Sequence, residues 1–306
     1  MLVETTWLLG ETSSLGQTEN YKKDDFYMST ENALLTILVE KINNDTLVLP
    51  TLPEVAVKVR EAADNPEINL MEMSDVIAHD PALSARMIKV ANSAFLGRSV
   101  KVSTLNQAVT RIGLRQIKNI ATAMAMEQLF VSKNKIVKEY LSKSWLKTVD
   151  VASSAIALLN LHLKDNKHSS LNIDTITLAS LVYNIGILPI LTEAERHQDV
   201  FANPQFLAQA IQKLGGRIGG QIMRAWDFTD DFVEVSELWA SSEYRPEKPC
   251  YVDFIRIAAI SQGLLNVSDK NAALQGYVDK GVLTDVGVLE SDEYNELLND
   301  VKSMFA

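Results

Sequence analysis

Apolar residues recur along this chain at spacings of three and four, with few strictly alternating runs, and that period predicts helices almost throughout. Leu34, Leu35, Leu38 and Ile42 share one face of a first helix beginning at Ser29 or Thr30. In LVLPTLPEVAVKVREAADNP (47–66), Pro50 and Pro53 hold the chain extended, and Pro53 opens a helix that stops near Asn65-Pro66. A short helix ends at Asp75 to Ala78. Asp80-Pro81 reads as an N-cap followed by proline at the first helical position. Leu83, Met87, Val90, Ala91 and Ala94 then make an apolar stripe that Gly97 ends. Thr104 and Gln107 fit a capping box for a helix with Leu105, Ala108, Val109 and Ile112 inward and Gly113 at its end. A further helix, Arg115 to about Val131, buries Ile117, Ile120, Ala121, Met124 and Leu129.

Beyond residue 132 the elements lengthen. One long helix runs from about Lys135 to His162, followed by the polar loop KDNKHSSLN. Asp174 is expected to cap the next helix, which carries Leu178, Ala179 and Val182 and reaches Gly186. Asn203-Pro204 starts another, with an interruption expected at Gly215-Gly216. Segments 218–226 and 231–241, the apolar stretch Tyr251 to Leu265, and an amphipathic helix from Ser291 with Tyr294, Leu297, Leu298 and Val301 complete the pattern. The fold class is therefore all-α. It divides into a tail (1–30), a front helical bundle (31–132), a second helical subdomain packed against it (133–270) and a C-terminal helical extension (271–306).

Composition narrows the function. The chain is 306 residues long, 47% apolar and 22% charged, as globular proteins are. Lys plus Arg is 29 against 39 for Asp plus Glu, giving −10. So acidic a surface releases few counterions from nucleic acid, and nucleic-acid binding is not expected. Arg111, Arg115 and Lys118 form the one local basic group, read as a solvated helix face. The lone cysteine, Cys250, excludes an intramolecular disulfide and suits a reducing cytoplasm. The start of the chain, MLVETTWLLGETSSLG, is acidic where a signal peptide is basic. Leu178 to Leu191, the longest apolar stretch, is broken by Asn184, Gly186 and Pro189 and falls short of the roughly 20 residues that span a bilayer. A cytoplasmic protein without a membrane segment is expected.

Three strings carry a family resemblance: LPTLPEV (49–55), AHDPALSARMIKVANSAFLG (78–97) and STLNQAVTRIGLRQIKNI (103–120). With Leu49, Pro50, Leu52, Pro53, Asp80, Pro81, Leu83, Asn92, Ser93, Ala94 and Gly113 as anchors in this order, the chain resembles the HDOD family over about residues 43–270. Read physically, Asp80 and Pro81 start a helix. Asn92 and Ser93 stand at a helix C-terminus, where small polar side chains bond free carbonyls or present a flat surface.

The back half of such proteins is similar to the HD phosphohydrolases, in which a His, a His-Asp pair and a later Asp hold a divalent metal that activates water. In YLSKSWLKTVDVASS (140–154) the position of the first His holds Lys147. In LASLVYNIGILPIL (178–191) the His-Asp position holds Tyr183-Asn184, with Ile185 and Gly186 retained. LGGRIGGQIMRAWDF (214–228) resembles the following helix, and Trp239 stands where a His pair often follows. An ammonium repels a cation, and a phenol and a neutral amide are weak substitutes for imidazole and carboxylate. The resemblance therefore implies a vestigial pocket at Lys147, Tyr183, Asn184 and Trp239, with no metal, no cofactor and no catalytic residue.

Other candidates are weaker. His79-Asp80 is a literal His-Asp pair, but neighbouring side chains on a helix point roughly 100° apart, and Asp80 is better read as a cap. His162, His168 and His197 lie among polar residues and are expected on the solvated surface. The glycine-rich LGGRIGG (214–220) lacks the Lys-Ser/Thr of a phosphate loop.

The resemblance thus implies a regulatory, non-catalytic bacterial signalling protein, acting through signalling partners or a small ligand. Its contact surfaces are the vestigial pocket or the face around Asp80, Asn92 and Ser93. The competing expectation is a metal-dependent phosphohydrolase acting on nucleotides or cyclic dinucleotides.

Overall fold

A computed structural model describes residues 35–93, 96, 100–196, 204–241, 244 and 246–305, with the backbone alone at 204–206. The expectations for the 1–30 tail, Leu34, Ala94, Gly97, His197 and Asn203 lie outside the described residues. Among the described residues the only regular secondary structure is helical, as the apolar period predicts.

The front bundle comprises α1 (35–43), α2 (Glu54–Ala63), α3 (Leu70–Ala78), α4 (Pro81–Ala91), α5 (Leu105–Ile112) and α6 (Leu114–Ala125). Three of its helix starts, those of α3, α4 and α5, are fixed by side chains that satisfy otherwise orphaned amides. Asn69 and Glu72 form a capping box on α3. Asp80 Oδ1 accepts from Leu83 N at 2.9 Å on α4, and Thr104 and Gln107 box α5 as expected. Gly113 joins α5 to α6 at φ +85°, which only glycine adopts without strain. The helix expected to reach Val131 instead stops at Ala125 and tightens into a 3₁₀ turn, Met126–Leu129.

The second subdomain is built on α7 (Lys135–Asp165), 31 residues long and capped by Asn134. Against it pack α8 (Ile173–Val182), α12 (Tyr251–Ser261) and α14 (Asp292–Phe305), with α9 (Ile187–Ala194), α10 (Pro204–Ala225), α11 (Asp230–Leu238) and α13 (Lys270–Asp279) completing the layer. Three expectations are corrected. The cap of α8 is Asn172, whose Oδ1 accepts from Thr175 N at 2.8 Å, so Asp174 lies inside the first turn. The helix ends at Val182 rather than Gly186, and residues 183–186 form an elbow into α9. The Gly215-Gly216 interruption does not occur, because α10 is continuous there.

Gly216, and Gly186 in the elbow, allow close approach of main chains. A Cβ on Gly186 would lie 2.0 Å from the Gly215 carbonyl oxygen, and one on Gly216 would lie 2.7 Å from that of Glu237. Backbone thus meets backbone where α10 crosses the elbow and α11.

The two halves meet where α6 packs on α8, and α14 reaches from α7 to α4. Trp226 Nε1 donates to the Pro50 carbonyl at 2.9 Å, anchoring the extended proline segment on the second half. Arg60 lies 4.0 Å over the Phe228 ring and donates to the Asp227 carbonyl. Lys41 pairs with the buried Glu193 at 2.7 Å. The basic group is likewise engaged: Arg111 bonds the Ala91 and Val100 carbonyls, and Lys118 pairs with Asp64.

Ile173–Ala194 is apolar enough and, counted through the elbow, long enough to pass for a membrane span, with mean hydropathy 1.6. Yet 89% of that window is buried inside the fold, where α8 and α9 form the core.

Candidate functional site

The α8–α9 elbow presents Tyr183 and Asn184 toward α7 and α11. Tyr183 is 1% exposed, and its ring stands edge-on to Trp239, centroids 4.8 Å apart at 83°. That geometry suits the ring quadrupoles. Trp239 follows α11, and its carbonyl accepts from Arg256 Nη1 at 2.8 Å. Ser236, one turn earlier, donates to the Val182 carbonyl at 3.4 Å. Burial, and secondly the Asp150 carboxylate, hold the Tyr183 phenol well above its ordinary range, so it stays neutral.

Asn184 is turned to α7. Its Nδ2 donates to Thr148 Oγ1 at 3.0 Å and to Ser144 Oγ at 3.4 Å. Thr148 Oγ1 lies 3.2 Å from Asn184 Oδ1 and also donates to the Ser144 carbonyl at 2.9 Å. Lys147, beside Thr148 on α7, is half-buried. Desolvation, then repulsion from Lys143, lowers its pKa. The fold thus brings Tyr183 to Trp239 and Asn184 to the neighbours of Lys147.

A divalent ion does not fit these residues. The phenol is held neutral and the amide is committed to two hydroxyls, so neither offers a divalent ion the anionic or imidazole donor it needs. Among the described residues, no three His, Cys, Asp or Glu side chains cluster closely enough to hold one.

The second candidate surface is engaged locally. Asp80 caps α4 and its Oδ2 accepts from Gln128 Nε2 at 3.1 Å. Asn92 pairs with Val102 through both amide atoms, Nδ2 to the carbonyl and Oδ1 from the N–H, each at 2.8 Å. Ser93 donates to the Val90 carbonyl at 2.7 Å and is 8% exposed.

His162 is a correction. Rather than lying on the solvated surface it is 8% exposed, bonded through Nδ1 to the Val282 carbonyl at 3.1 Å and edge-on to Phe254. A segment more than a hundred residues away covers it. Sequence reasoning also missed the group beneath Trp239. There Arg256 bonds the Trp239 and Ser241 carbonyls, and buried Asp253 pairs with Lys280 at 2.6 Å. Cys250 heads α12, its N–H bonded to Asp253, and burial pushes its thiol up. The available signal was two charges, Asp253 and Arg256, inside an otherwise apolar helix.

Comparison with known proteins gives this arrangement a context. The HDOD domain profile matches residues 49–238. A solved structure from Shewanella amazonensis SB2B, provisionally named a metal-dependent phosphohydrolase, is 42% identical at TM-score 0.87, covering 91% of this chain and all of that one. A provisionally named signal transduction protein from Marinobacter aquaeolei VT8 shares the fold at TM-score 0.57 and 19% identity, over 90% of this chain and 64% of that one. An uncharacterised Treponema pallidum protein is 22% identical over 211 residues, 65% of this chain. This chain spans only 39% of that relative's length.

Proposed function

This chain belongs to the HDOD domain family, and on that premise we propose that it is a non-catalytic regulatory protein of signal transduction, acting by binding protein partners or a small ligand. The observation that carries the reading is the filling of the metal-ligand positions. A neutral phenol stands edge-on to Trp239, an amide is tied to Thr148 and Ser144, and Lys147 is half-buried next to Thr148 on α7. Water activation by a metal needs carboxylate and imidazole donors with an open coordination position, and these residues supply neither. The partners are expected among bacterial signalling proteins in the cytoplasm. The contacts would be made around Lys147, beside the buried Tyr183–Trp239 pair, or at the Asp80, Asn92 and Ser93 face.

One experiment tests it. The purified protein is analysed for divalent metal and assayed on bis-p-nitrophenyl phosphate and cyclic dinucleotides with added Mn²⁺ or Mg²⁺. Substoichiometric metal and no chelator-sensitive turnover are expected. A tightly held ion with turnover that EDTA removes would establish the competing reading, metal-dependent phosphohydrolysis, which the name of the Shewanella relative favours.

A further inference from the structure

Lined by α12, α13, Tyr244, Pro246 and Val267 is a cavity of about 320 Å³. None of Lys147, Tyr183, Asn184 or Trp239 lines it, yet it adjoins their site, because Arg256 on its wall is the residue that holds the Trp239 carbonyl. The volume lies at the lower end of the range that small-molecule pockets occupy.

Three charged side chains among the described residues form its polar wall. Asp253 is 2% exposed and pairs with Lys280, Nζ lying 2.6 and 2.8 Å from the two carboxylate oxygens. That pair is neutral as a unit. Arg256 is 8% exposed, and its described partners carry no charge: the Trp239 and Ser241 carbonyls and the Tyr277 hydroxyl, which accepts from Nε at 3.0 Å. Among the described residues the wall therefore holds one carboxylate and two cations. A buried guanidinium cannot discharge by deprotonating, and leaving it without a counter-ion is costly.

The remaining lining includes the apolar Ile260, Val267 and Ala273. Gly276 stands mid-helix in α13, where glycine weakens a helix relative to alanine. A Cβ there would meet nothing within 4 Å, so the missing side chain leaves the cavity open on that side.

We infer that this cavity binds a small organic monocarboxylate, its carboxylate facing Arg256 and Tyr277 and its apolar body lying along Ile260 and Val267. A single negative charge neutralises the wall. A phosphate monoester, at roughly −1.5 to −2, would leave excess negative charge. The inference goes beyond the regulatory reading and holds whether or not the protein hydrolyses anything, so its failure leaves the metal question untouched.

The test is calorimetric titration of the full chain with hexanoate and with hexanamide, repeated on Gly276→Leu. Hexanoate is expected to bind and hexanamide to bind at least about tenfold more weakly, as loss of a charge-assisted contact dictates. In Gly276→Leu the Cβ enters open space, meeting no atom within 4 Å, and the rest of the side chain extends from there. It is expected to melt no lower than the parent and to lose at least about tenfold in hexanoate affinity. Equal binding of acid and amide, undiminished binding by folded Gly276→Leu, or no hexanoate heat up to about 10 mM would each overturn the proposal. Should Gly276→Leu fail to fold, Val267→Phe provides the second blocking variant, read the same way.

Discussion

Asn184 gives its side-chain amide to the Thr148 hydroxyl across 3.0 Å, tying the α8–α9 elbow to α7. The bond is buried, Asn184 being 9% exposed, and it holds the two helices by neutral groups that need no ion.

Asn184→Asp removes the donors and places a carboxylate in that buried position. The variant is expected to lose about 1–3 kcal/mol at pH 7. Burial raises the folded-state pKa of the new carboxyl above its unfolded value, so the loss is smallest below the unfolded pKa and grows as pH rises through the window between the two. Thermal melts from pH 4 to 8 check this. A variant as stable as the parent at pH 8 would show that the amide is not structural.

Lys147 carries a lowered pKa because desolvation and Lys143 disfavour its charge. Such a group costs stability while it is protonated in the fold, and the cost fades as pH rises through the depressed folded value toward the ordinary lysine range. Lys147→Met is therefore expected to melt slightly above the parent at pH 7, with the gap closing by about pH 10. If Lys147 instead contacts a partner, its replacement abolishes partner capture at unchanged melting temperature.

Gly186→Ala and Gly215→Ala form a matched pair. The first drives a Cβ to 2.0 Å from the Gly215 carbonyl and is expected to cost about 3 kcal/mol or more. The second meets only Ile211 Cγ2 at 3.7 Å in mid-helix and is expected to stabilise by about 0.5–1 kcal/mol. Urea midpoints separate them. Equal effects would mean that the elbow can retreat from α10.

Asp80→Ala is expected to lose about 1 kcal/mol by removing the cap on α4, whereas Asp80→Asn keeps an acceptor for Leu83 N and stays within a few tenths. Loss of a signalling partner by the stable Asp80→Asn protein would assign the carboxylate to an interface.

Much of this was legible in the chain itself, and the misses share a cause. Apolar stripes and caps are local, so α4 with Asp80 and α5 with Thr104 could be read directly. Asn172 and Asp174 are both competent caps two residues apart, and only the extended backbone at Asn172 chooses between them. Glycine pairs look like breaks until a second backbone is seen to need the room. His162 and Arg256 take their partners from segments distant in sequence, Val282 for one and the 238–241 turn for the other. Lys147, Tyr183 and Asn184 could be picked out from the family resemblance, whereas the Thr148, Ser144 and Trp239 contacts around the last two depend on how three helices converge.

The contact of Gly186 with α10 has no rotamers with which to absorb displacement. Two main chains touching without side chains between them leave no slack at that crossing, so any side chain added to the elbow there has to displace main chain rather than turn a neighbour's rotamer.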